Sequence, residues 1–166
     1  MASLPTALKS GKSVRGGSAS IARAIILRFT VFTDYAFRVL IYLALDPEQR
    51  ATIQDIAVKY DVSRNHLMKV VNRLAQAGLV SANRGPHGGL KLAWQPDKIM
   101  VGDVVRLTEE NFQFVECMGA DNQCVIDPAC TLKTVLGESL QALFGVLDEY
   151  SLQDLIKHKA RLKQLL

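Results

Sequence analysis

The chain has 166 residues, 49% of them apolar and 22% charged, with a net charge of +4, three Cys and three His. This is ordinary globular composition, and it excludes wholesale disorder. The longest apolar run, Val39 to Leu45, has seven residues where a membrane span needs about 20, which excludes a transmembrane protein, and an odd cysteine count excludes a framework that pairs them all.

The charge is unevenly placed. Residues 1–27 carry Lys9, Lys12, Arg15 and Arg23 and no acid, leaving 16 basic and 16 acidic side chains in residues 28–166. Ser, Gly, Ala and basic residues without hydrophobic periodicity predict a disordered basic leader over 1–27. The same mixture suits a targeting segment, a dispensable extension or a misplaced gene start. Further along, residues 50–106 hold nine Lys/Arg and four Asp/Glu, whereas 107–156 hold one Lys and nine acids. A basic middle before an acidic segment implies two regions with different partners.

Thr33 is the expected N-cap of a first helix, Asp34 to about Leu45, stopped by Pro47. Thr52 with Asp55 forms a capping box for a second, Ile53 to Tyr60. Ser63 opens a third, Arg64 to Ala77, with Gly78 as its left-handed C-cap. Leu67, Val70, Val71 and Leu74 form its apolar stripe. From Leu79 the period changes: a short strand, the turn Arg84-Gly85-Pro86-His87-Gly88-Gly89, then alternation at Leu90, Leu92 and Trp94. Three helices followed by a Gly-rich hairpin predict a winged helix-turn-helix over 28–100. Val101 to Glu110 is a further helix leading into the cysteine loop (101–130). Thr131 then starts a long helix to about Tyr150, with Leu132, Leu136, Leu140, Leu143 and Leu147 near a heptad seam. So broad an apolar face predicts a homodimer. Ser151 and Asp154 cap a basic amphipathic tail, completing the 131–166 unit; that tail reads as a packed or frayed helix before it reads as a membrane-surface segment. The expected fold is mainly α with a small β wing: a winged helix-turn-helix plus a long dimerisation helix.

The outward face of the third helix has the chemistry of a major-groove reader. Arg64, Asn65, Lys69, Asn72 and Arg73 suit guanine, adenine and phosphate contacts, with Ser63 and His66 beside them at the approaching end. The plain reading of such a face, a solvated amphipathic helix, loses ground because a hairpin with Arg84, His87 and Lys91 follows at once, where a wing would meet the backbone or minor groove. Arg28 and Thr33, at the start of the body, complete the expected DNA-binding set.

Cys117, Cys124 and Cys130 lie within 14 residues as C-x6-C-x5-C. Three thiolates on one loop suit zinc or an iron–sulfur centre, although the C-x2-C of a zinc ribbon is lacking. A fourth ligand would be a histidine, a carboxylate or a group from a partner chain. Free thiols, a zinc-stabilised interaction module and a thiol redox enzyme stay open as alternatives. The enzyme lacks a Cys–His arrangement to activate its nucleophile.

The segments LRFTVFTDYAFRVLIYLA, SRNHLMKVVNRLAQAGLV, RGPHGGLKLA and PAC-x-L-K, across about residues 28–155, resemble the NsrR family of bacterial nitric-oxide-sensing repressors. These belong to the same winged-helix superfamily as IscR. The resemblance implies a cytoplasmic bacterial transcription repressor, not an enzyme: a homodimer on a palindromic operator, with one iron–sulfur cluster per subunit, 4Fe–4S favoured and 2Fe–2S as the other form. Cys117, Cys124 and Cys130 match the family's ligands, and Asp34 of FTDYA matches the carboxylate supplied from the other subunit. An IscR-type regulator of iron–sulfur or redox status is the alternative within the class. Two departures stand out: the first cysteine gap has six residues where five or fewer are common, and Leu27 stands where the family commonly starts with Met, so Leu27 is the expected native start.

Overall fold

The computed structural model describes residues 28–83, 85 and 88–166; the expected leader lies outside them. Seven helices and a two-stranded antiparallel sheet follow in the order α1 (Val31–Leu45), α2 (Ile53–Tyr60), α3 (Arg64–Gln76), β1 (Val80–Asn83), β2 (Gly89–Leu92), α4 (Val101–Thr108), α5 (Leu132–Leu147), α6 (Leu152–Leu155) and α7 (Lys159–Leu165). The expected class is the observed one: mainly helical, with a small wing.

The helix α1 is the post on which the rest is hung. Ala36, Val39, Leu40 and Leu43 repeat at helical spacing and are almost wholly buried, and α1 packs against α3, α4, α6 and β2. Removing one such leucine side chain from water contributes about 1.5–3 kcal/mol. The helix begins earlier than expected. Thr30, extended at φ −64 and ψ 158, is the N-cap and accepts from Thr33 N, while Thr33 lies in the first turn with its side chain 1% exposed.

The helix-turn-helix follows the sequence closely. Thr52 and Asp55 make the reciprocal capping box of α2, and this hydrogen bonding holds Asp55 below the ordinary carboxylate value. Leu67, Val70, Val71 and Leu74 of α3 are buried. Gly78 follows at φ +74, the left-handed geometry that ends a helix. Ser63 occupies the N-cap position of α3 with no capping hydrogen bond among the described residues.

In the wing, Val80, Ser81, Ala82 and Asn83 pair with Leu92, Lys91, Leu90 and Gly89. Ala51, ahead of α2, bridges Leu90. A Cβ on Gly89 would meet Arg50 Cβ at 3.0 Å and Ala51 O at 3.1 Å, and its φ of +141 also excludes a side chain. The alternation expected to run through Trp94 stops at Leu92. Trp94 instead turns back and donates its indole N–H to Gly78 O at 2.9 Å, joining the foot of the wing to the end of α3.

The C-terminal segment breaks where one amphipathic tail was expected. The Ser151–Asp154 capping box starts only the four-residue α6. Leu152 and Ile156 enter the core, and the chain restarts as α7. Ser151 also bridges Met100, ahead of α4, and Lys163 pairs with Asp46 at 3.3 Å. No helix among the described residues is long and apolar enough to cross a membrane.

Candidate nucleic-acid interface and cysteine loop

Arg64, Asn65, His66, Lys69, Asn72 and Arg73 of α3 are all exposed, as is Ser63 before it. The stripe of Leu67, Val70, Val71 and Leu74 faces the core and leaves these donors outward. Lys91 is half-buried on β2, and Arg28 is exposed ahead of α1. The expectations for Arg84 and His87 fall on residues outside the described ones.

Two members of the expected set have internal partners. Thr33 is enclosed, and its hydroxyl lies against Glu109 Oε1 and 2.8 Å from Thr108 Oγ. A side chain so buried cannot touch DNA, so its role is structural. Arg73 keeps its exposure but sits in the last turn of α3, where Nε donates to Leu107 O at 3.3 Å.

Three residues outside the expected DNA-binding set join the interface to its frame. Tyr35 stacks obliquely on His66 with ring centres 6.3 Å apart. Arg50, in the strand-like approach to α2, donates to the Asn83 side-chain oxygen at 3.1 and 3.2 Å once that amide is oriented to accept. Trp94 ties the wing to α3. Only alternation pointed to Trp94, and it pointed to a strand.

Asp34 lies exposed in the first turn of α1, bound by the guanidinium of Arg38 through Nη2 at 2.7 Å and Nε at 3.1 Å. The same guanidinium lies 5.5 Å from the Tyr35 ring centre and 5.7 Å from that of Tyr60. Burial raises the Tyr60 hydroxyl above its ordinary value.

The cysteine loop runs from Glu109 to Thr131 with two single 3-10 turns, Glu116–Met118 and Asp127–Ala129. All three thiols are free; Cys117 is buried, Cys124 and Cys130 half-buried. The loop is held by its own polar groups: Gln123 N donates to Glu116 Oε1 at 3.0 Å and Cys124 N to Asn122 Oδ1 at 2.9 Å. A Cβ on Gly119 would crowd the backbone oxygen of Glu116 at 3.2 Å. Asp127 Oδ1 is buried without a hydrogen-bond partner among the described residues, with Lys133 Nζ at 3.6 Å. Within one chain, no three His, Cys, Asp or Glu among the described residues come together as a metal-holding group. As chemistry, three free thiols on an irregular loop fit a soft iron–sulfur centre.

Residues 29–158 match the family model Rrf2, described as an iron-dependent transcriptional regulator. The chain belongs to the Rrf2 family. Among its curated relatives, the HTH-type transcriptional regulator NsrR of Bacillus subtilis (strain 168) is 49% identical over 142 residues, covering 84% of this chain and 97% of that protein. NsrR of Geobacillus kaustophilus (strain HTA426) is 45% identical over the same length. Among solved structures, T. potens IscR superposes with a TM-score of 0.65 at 27% identity, covering 81% of this chain and 90% of that one. CymR, the global cysteine regulator of B. subtilis, gives 0.61 at 28%, covering 80% and 98%. This Rrf2 protein is therefore a DNA-binding transcriptional regulator, and the resemblance read from its sequence agrees with its curated relatives.

Proposed function

We propose that this Rrf2 regulator is a homodimeric repressor whose operator binding is controlled by nitric oxide through an iron–sulfur cluster held by Cys117, Cys124 and Cys130. The observation that carries this reading is the set of three free thiols on one irregular loop, in a chain 49% identical to an NsrR over 142 residues. The IscR likeness, at 27% identity, is more distant. The 4Fe–4S form is the preferred assignment, in a protein of the bacterial cytoplasm.

Residues 28–100 form the reading unit, 101–130 the connecting helix and cysteine loop, and 131–166 the dimer helix and tail. Ser63, Arg64, Asn65, His66 and Lys69 meet base edges and phosphates, with Arg73, Lys91 and Arg28 at the margins. Two copies present two such faces to a palindrome, so half-site spacing follows from the frame that joins them. The second copy is expected on α5, where Leu132, Val135 and Val146 are each at least half exposed.

When bound, the cluster supplies the iron that reacts with nitric oxide. Asp34 of the partner subunit completes its ligand set, and to do so must leave or share the Arg38 fork. Arg38 touches both Tyr35, against α3, and Tyr60, at the end of α2, so the carboxylate's choice of partner reaches both helices of the reading unit. Cys117, Cys124 and Cys130 with the partner subunit's Asp34 would hold the cluster, and an Asp34 that stays paired with Arg38 would leave the frame at another spacing.

Protein purified without oxygen is expected to be brown. It should bleach with nitric oxide and lose affinity for a duplex that the brown protein has selected from random-sequence DNA. A colourless zinc protein, or binding indifferent to nitric oxide, overturns the proposal. Asp34→Ala is expected to weaken cluster retention or sensing with the helical signal intact; an unchanged response would remove Asp34 from the ligand set.

A further inference from the structure

The C-terminal end of α4 carries a carboxylate where helix electrostatics disfavours one. Glu109 is the C-cap of α4, beside carbonyls that leave the end partly negative. Its compensation comes from the opposite pole of another helix. Glu109 Oε1 accepts from Thr30 N at 2.7 Å and Thr30 Oγ at 3.1 Å, the N-cap residue of α1. It also accepts from the buried Thr33 hydroxyl. Thr108 Oγ donates to Val104 O at 2.8 Å, so the contact between Thr33 and Thr108 draws on the same Thr33 proton. Burying a hydroxyl is costly unless it is hydrogen-bonded, and Glu109 with Thr108 supplies the acceptors.

The same end of α4 holds the recognition helix. Leu107 O, two residues before Glu109, accepts from Arg73 Nε at 3.3 Å. Three consecutive residues thus join α1 and α3, and the chain passes from them directly into the cysteine loop. Asp34 follows Thr33 immediately. The junction is polar and borders an open cleft of about 600 Å³ lined in part by Phe32, Arg73, Leu107, Glu109 and Glu110. A hydrogen-bonded contact beside free volume has a second arrangement available to it, which a close-packed apolar contact lacks.

We infer that Glu109 is a positioning residue that couples the start of α1 and the head of the cysteine loop to the orientation of α3. This deepens the iron–sulfur reading and rests on it. A change at Asp34 or in the cysteine loop moves the Thr33–Glu109 contact, α4 shifts its end, and Leu107 O carries Arg73 with it.

The test compares wild type with Glu109→Ala, Glu109→Gln and Thr33→Val. Each is loaded without oxygen, its visible spectrum recorded, and its affinity for the selected duplex measured before and after nitric oxide. Glu109→Ala and Thr33→Val are expected to keep the wild-type spectrum while the ratio of the two affinities falls at least about fivefold, within the usual span of allosteric couplings. Glu109→Gln, which keeps an acceptor oxygen, should restore most of the ratio. Amide exchange on the cluster-free proteins supplies a readout independent of the cluster: both variants should speed exchange in the last turn of α3 relative to α2. If Glu109→Ala fails to fold, Thr33→Val decides, since valine matches threonine in shape and lacks only the hydroxyl. A wild type that answers nitric oxide beside variants with an unchanged ratio and unchanged α3 exchange overturns the coupling alone. A wild type that does not answer overturns the sensing reading first.

Discussion

The reading unit and the arm that follows it are built to different standards of closure. In the reading unit and the α4 that follows it, residues 28–108, α1 and α3 bury continuous stripes and the wing is pinned by Ala51, Arg50 and Trp94. From Glu109 to Tyr150, Cys117 is the only buried residue among those described. α5 has 16 residues and none is buried. Its attachment to α4 is mainly one fork, Arg106 to Asp148 through 2.8 and 2.6 Å contacts, with the guanidinium 4.3 Å from the Phe144 ring centre. Phe112 packs edge-on to Phe144 at 4.8 Å. The first region has what it needs within one chain. The second displays apolar surface and free thiols, and we take both as addressed to partners, a second copy and a cluster.

Four experiments test that contrast. The largest effect belongs to the closed region: Leu67→Ala, at a wholly buried position of α3, should cost about 2–5 kcal/mol of stability in denaturant unfolding. A cost below about 1 kcal/mol would mean the core is looser than its burial implies. In the arm, the pair Leu132→Ala and Val135→Ala should change single-chain stability by less than about 1 kcal/mol, since both side chains are at least half exposed. The pair should still shift the monomer–dimer equilibrium toward monomer in sedimentation; an unchanged equilibrium would place the interface elsewhere.

Gly102→Ala probes the attachment of α5 to α4. Its Cβ would overlap Asp148 Oδ1, so Asp148 must rotate and release Arg106. Helix propensity favours the alanine by about 1 kcal/mol, which opposes the loss of the fork. Net stability should therefore move little while amide exchange accelerates at the C-terminal end of α5; unaltered exchange there would show the fork is not what fixes α5.

The smallest effect is on pH. Hydrogen bonds from the Ser151 side chain and backbone lower Asp154 to about 2. A folded-state value below the unfolded one stabilises above the ordinary carboxylate range and is lost as pH falls toward 2. Asp154→Asn should flatten the stability profile between about pH 4 and 2. A parallel, merely lower profile would assign the acid sensitivity to other groups.

How far the sequence could be read follows the same division. Local signals gave α2, α3 and the wing nearly to the residue, because capping boxes, left-handed glycines and periodicity act over a few positions. The start of α1 was misplaced by one turn because Thr30 and Thr33 are both good caps. What selects Thr30 is that Thr33 faces Thr108 and Glu109, some 75 residues away along the chain. Trp94 read as strand because alternation is blind to a side chain folding back onto Gly78. The tail read as one segment because its periodicity does not record that Leu152 and Ile156 must enter the core together.

Short-range patterning and residue chemistry suffice to read a winged helix-turn-helix with an outward basic helix and three clustered thiols, because each of those signals acts over a few positions. Long-range contacts make Thr33 an internal strut, lean Arg73 on α4, and join the beginning of α1 through Glu109 to the head of the cysteine loop. Such contacts depend on hydrogen-bond donors and acceptors brought together from distant positions, and no local pattern records which of them will meet.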